Sequence, residues 1–136
     1  MDFFTALHIS STGLSAERTR VNLASSNLAN AETTRTAEGG AYKRLDPVFR
    51  AVAMEAGSNG PQAVTVAEVV SDETPGKKIY SPGHPDADAD GFVVLPNVNP
   101  VHEVVNLLSA SRGYEANTTA IETLKQMAGR AIDILK

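Results

Sequence analysis

The 136-residue chain contains no cysteine and no tryptophan. Without thiols there is no disulfide framework and no thiolate metal site, and both reducing and oxidising compartments stay open. Aromatic residues make up only 5%. A compact core would therefore lack the bulky side chains that usually anchor one, and an extended, shallow-cored molecule fits better. Lys and Arg do not cluster on one face and the net charge is −4, which argues against a nucleic-acid partner or an anionic membrane surface. No apolar run approaches the roughly 20 residues that a membrane span needs. The opening MDFFTALHISS has neither a basic region ahead of an apolar block nor a small-residue cleavage site, so it does not read as a cleavable secretion signal. Also missing are G-x-S-x-G, a phosphate-cradling glycine loop and a Cys nucleophile, so the chain reads as a non-enzyme without cofactor.

What is present is periodicity at both ends. Leu107, Ala110, Tyr114, Asn117, Ile121, Leu124, Ala128, Ala131 and Leu135 follow one another in alternating steps of three and four, the seam of a coiled coil. Asn99-Pro100 marks its start, an amide able to cap free N–H groups followed by a proline suited to the first helical position. A helix over 99–136 cannot bury such a seam alone and needs a partner. The partner is the N-terminal segment 1–30, where Leu7, Leu14, Val21 and Leu28 recur every seven residues, although Gly13 inside it costs about 1 kcal/mol relative to Ala.

Between them, 31–46 has no periodicity and reads as an exposed connector. Over 47–98, PVFRAVAM and AVTVAEVV alternate with period two around an Asn59-Gly60 turn signal, while KKIY and FVVL are shorter strand candidates. The expected fold is α+β: long terminal helices paired as an antiparallel coiled-coil-like hairpin, with an extended connector and a small β-rich insert. The large seam residues are too few to offset the ordering of two long helices. The helices are thus expected to be marginal alone and to gain order when neighbouring subunits cover them.

These residues carry a resemblance. GLSAERTRVNLASSNLANAET (13–33), with Asn27, Ala29 and Asn30 at its helix end, resembles the N-terminal signature of bacterial flagellar rod, hook and hook-associated proteins. SASRGYEANTTAIETLKQM (109–127) is similar to their C-terminal signature through Ser111, Arg112, Tyr114, Ala116 and Asn117, and 81–112 looks like the short rod members. Gly113 departs from the pattern, standing where a better helix former is usual. The resemblance implies a proximal-rod subunit of the basal body, exported through the flagellar type III apparatus and stacked helically around a channel in the periplasm. Its implied partners are copies of itself, other rod proteins and neighbouring ring or adaptor proteins. From another class, the alternative is a secreted α-hairpin binding module or a translocator component of a type III secretion system.

Several individual residues also have plainer roles open to them. Asp86, Asp88, Asp90 and Gly91 open like a calcium loop, but Asn97 stands where a bidentate Glu belongs and prolines flank it, so a solvated acidic turn is the better reading. His8, His84 and His102 have no second ligand at i+4, so no metal is expected. A polar Asn117 on an apolar seam is expected to set register, because Tyr114 and Ile121 flank it in phase. Asn27 and Asn30 fit either a helix-end turn or a subunit contact. Arg112 fits either a carboxylate on a neighbour or an exposed solubilising charge.

Overall fold

A computed structural model describes residues 3–54 and 60–134; Leu135 of the expected seam and Asn59 of the expected turn lie outside them. The elements are α1 (Phe3–Ala29), β1 (Leu45–Ala53), β2 (Gln62–Ser71), β3 (Lys78–Tyr80), β4 (Phe92–Val94) and α2 (Pro100–Ile134). The fold is α+β, two long helices packed on each other with small antiparallel sheets between them in sequence.

Helix α2 starts where the chain chemistry starts it. Pro100 is its first residue, and the Asn99 side chain accepts from the N–H groups of Val101 at 3.0 Å and His102 at 3.4 Å, satisfying donors that have no partner within the helix. At 35 residues it is about 52 Å long, against about 40 Å for the 27 residues of α1. Helix α1 ends in a local turn. The Asn30 side chain donates to the Ser26 carbonyl at 2.9 Å, and the Thr33 hydroxyl donates to Asn30 Oδ1 at 3.1 Å.

The helices run antiparallel, Gly13 lying against Asn117, Glu17 against Gly113, and Asn27 bonded to Glu103. Carried on one for one, this register sets Phe3 opposite Met127. Helix α2 therefore outruns the start of α1, and residues 129–134 are all exposed.

The β insert is divided rather than unified. Strands β1 and β2 form one antiparallel ribbon and β3 and β4 another, with no ladder joining them. In the first, Val48 pairs with Glu68 and Phe49 with Val66, which leaves Ala67 as the extra residue of a bulge and bends the ribbon. This ribbon packs on α1, where the Val64 N–H donates to the Thr12 hydroxyl at 3.3 Å. Pro47 lies in β1, a strand paired on one side only, the position a missing N–H allows.

Apolar burial is thin. Among the described residues only Ala16, Ala24, Val93 and Ala110 are buried hydrophobics, and three of those four are alanines, which fill space between close backbones rather than build a thick core.

Candidate functional site

The surface between α1 and α2 is the first candidate. Leu7, Leu14, Val21 and Leu28 are all half-buried, as are Leu107, Asn117, Ile121 and Leu124. The deeper positions are Ala16, Ala24 and Ala110, which let the helices approach closely. At two places the approach is closer still. A Cβ on Gly13 would meet the Asn117 side-chain oxygen at 2.9 Å, and a Cβ on Gly113 would meet the Glu17 carboxyl group at 2.9 Å. Each helix thus offers a bare glycine to a polar side chain of the other. The Asn117 amide is held in place by donating to the Gly113 carbonyl at 2.9 Å, and Glu17 is held by Arg20 at 3.0 Å.

Tyr114 differs from its expected place. It is 41% exposed, because Gly113 takes the position facing α1, and its ring edges an open groove with Arg18, Val21, Ser111 and Glu115. Ser111 is half-buried, whereas Ala29, Arg112 and Ala116 are exposed.

The second candidate is a polar junction where the end of α1, the start of α2 and the start of β1 converge. Asn27 and Glu103, 76 positions apart, are each 1% exposed. Asn27 Oδ1 accepts from the Leu45 N–H at 2.9 Å and the Tyr42 hydroxyl at 3.0 Å, while its Nδ2 donates to the Leu45 carbonyl at 2.9 Å and to Glu103 at 3.1 Å. The amide behaves like a strand neighbour to Leu45, fastening β1 to the helix pair. Arg44 Nε donates to the other Glu103 oxygen at 2.8 Å, and its terminal nitrogens face Asp46 at 2.7 Å and Asp72 at 3.8 Å. The hydrogen bond to Glu103, helped by the charges of Asp46, Glu103 and Asp72 against partial burial, raises the Arg44 pKa above its ordinary value. The Asp72 pKa is lowered, chiefly by the hydroxyl and N–H of Thr74 and less by Arg44. Among the described residues no buried side-chain polar atom lacks a partner, as a low-dielectric site requires.

A second asparagine extends the junction. Asn97 accepts from the Arg44 N–H at 2.8 Å and donates to the carbonyls of Asp72 at 2.9 Å and Thr74 at 3.0 Å. It ties the approach to α2 onto the base of the first ribbon.

The acidic loop is occupied by the chain itself. Asp88 accepts from the N–H groups of Asp90 and Phe92, Asp86 accepts from the Thr34 hydroxyl and pairs with Arg35, and His84 Nδ1 accepts from the Asp86 N–H. Among the described residues no three His, Asp or Glu side chains gather as a metal would need, and no helix is long and apolar enough to cross a membrane.

Residues 7–35 match the family described as flagella basal body rod protein, and residues 89–134 match that described as flagellar basal body rod FlgEFG protein C-terminal. The chain is 40% identical to the flagellar basal-body rod protein FlgC of Borreliella burgdorferi over 100% of its own length and 99% of that protein. The chain belongs to the FlgC family of flagellar basal-body rod proteins. Other FlgC relatives agree: that of Aquifex aeolicus is 42% identical over 100% of this chain and 99% of its own, and that of Bacillus subtilis 36% identical over the whole of both. The two stretches that match flagellar basal body rod families contain most of α1 and α2, with Asn27 and Glu103 at the ends that meet.

Sequence reasoning missed Arg44, Glu103 and Ala16 of α1. Glu103 sits in the first turn of α2, where an acidic residue is already explained by the helix dipole, and that ordinary role conceals its part in the junction.

Proposed function

We propose that the chain is a structural, non-catalytic subunit of the proximal rod, assembled helically with copies of itself and with other rod proteins into a tube. The observation that carries this reading is full-length similarity to rod proteins. It is supported by helices that leave Phe4, Val101, Val105, Leu108, Met127 and Ile132 exposed, more apolar surface than a lone helical pair keeps in water without a partner to cover it.

In this reading the paired helices form the wall of a channel, and the β ribbons orient the subunit against neighbouring rods, rings and adaptor proteins. Twisting such a wall must slide close-packed seams past one another, so it transmits torque. Asn117 against Gly13 sets the register, since a one-turn slip would put the amide against a larger side chain. The subunit reaches the periplasmic space through the flagellar type III export apparatus as an unfolded chain. No cofactor, nucleic acid or membrane insertion takes part.

Basal bodies purified from the source cells and analysed by mass spectrometry test the proposal. The chain is expected in the rod fraction, and cells lacking it are expected to build neither a complete rod nor a hook. Complete rods without the chain would overturn the reading. Circular dichroism of the purified subunit is expected to show partial helicity that rises on assembly.

A further inference from the structure

The β3–β4 ribbon lies beside the connector, where Val94 lines a groove with Tyr42 and Thr74. Among the described residues neither strand packs against a helix or against the first ribbon, and the loop joining them is bonded through Asp86 to the connector. Val93 points inward and is buried. The outward face carries Tyr80 opposite Phe92, their rings in edge contact at 5.3 Å. Tyr80 is 67% exposed, yet its ring is not loose. It lies over the bare backbone of Gly91, whose φ is 81° and where a Cβ would come within 2.9 Å of the ring. Next to it, Asp90 is exposed and its carboxylate has no partner among the described residues.

A second unpartnered surface lies on the first turns of α2. Val101, Val104, Val105 and Leu108 point away from α1, and Val101 is 70% exposed. One turn further along the same face stands Arg112, exposed and without a partner among the described residues.

We propose that these two surfaces dock between copies of the chain, the Tyr80–Phe92 ribbon of one copy seated on the Val101–Leu108 stripe of the next, with Asp90 meeting Arg112. This rests on the rod-subunit reading and names a contact that it uses. A held aromatic pair is the kind of anchor that dominates interface energy, and an aliphatic stripe is the surface such an anchor gains by covering. The trim of opposite charge fixes which way round they meet. Both surfaces are present on every copy and are different from each other. Given from one copy to the next, as the rod reading requires, and not exchanged within a pair, the contact is head-to-tail and repeats around an assembly.

The test uses basal bodies from cells producing the full chain with a photoreactive benzoylphenylalanine in place of Tyr80. Irradiation is expected to give an adduct at twice the subunit mass, with the crosslinked peptide mapping to residues 101–112 of a second copy. Asp90→Arg and Arg112→Asp are each expected to lower its yield about fivefold, and the two together to restore it to within about twofold of the parent. An adduct to a different rod protein, an adduct elsewhere on the copy, or a double variant no better than the single ones would overturn the docking while leaving the rod reading intact. Absence of the chain from basal bodies would overturn both.

Discussion

The middle of the helix pair and its closed end are built on opposite principles. Along the middle, leucines at heptad spacing are only half-buried, and the closest contacts are glycine to polar side chain. At the closed end Glu103 and Asn27 are fully buried, and among the described residues every buried side-chain polar atom is paired. The polar junction at the closed end is thus complete within one chain, whereas the outward face of α2, from Val101 to Tyr114, keeps its apolar surface uncovered. Geometry is fixed by the polar region, because a hydrogen bond tolerates little displacement. Sticking is left to the apolar region, because hydrophobic contact has no direction.

The sharpest way to break the contrast is Glu103→Ala, which strips Arg44 and Asn27 of a shared partner in a buried site. A loss of about 3 kcal/mol in urea unfolding is expected, with Glu103→Gln costing less because it still accepts a hydrogen bond. If the two cost the same, the junction is mere filling. Next comes Gly13→Leu, which wedges the helices apart at Asn117 and is expected to cost about 2 kcal/mol. Gly13→Ala in an Asn117→Ala background is instead expected to gain up to about 1 kcal/mol, since the helix-propensity benefit is then free of the clash.

Smaller in stability but decisive for the comparison is Leu108→Ser. On the exposed outer face it is expected to change monomer stability by less than about 0.5 kcal/mol, while rod incorporation, read by mass spectrometry of basal bodies, falls. A change in monomer stability with normal incorporation would erase the division of labour. The least effect is expected from Thr74→Val. Asp72 is depressed below its 3.8 reference chiefly by Thr74, so the stability it contributes is present above that reference and is lost as pH falls through the lower folded value. Removing the hydroxyl raises the folded pKa toward 3.8, and the acid-side decline of stability, followed by circular dichroism between pH 5 and pH 2, should begin at higher pH.

Local signals were legible in the sequence. Asn99-Pro100 begins a helix because an amide cap and a fixed φ act within a few residues, and Leu7, Leu14, Val21 and Leu28 do lie on the side of α1 that is partly covered. Tyr114 was misplaced because hydrophobic spacing favours the larger residue, while close packing favoured its glycine neighbour. Ala110 falls in the expected seam and is fully buried, whereas Ala16 leaves almost no mark on a hydropathy pattern. Nothing in spacing announces a bond between residues 27 and 103, since the chain distance between them carries no period. The four strands were foreseeable one by one, but their division into two ribbons depends on pairings that alternation does not encode.

The Asn27–Glu103 bond also sets a timetable. A chain delivered into any compartment with its first residue leading presents Asn27 early, yet the acceptor does not arrive until residue 103 of 136 has come through. Until then the leading helix can hold only the connector and the first ribbon, through Tyr42, Leu45 and Val64. Once the trailing helix enters, a single closure joins both extremities and the ribbon between them, so becoming rigid is among the last things the molecule does.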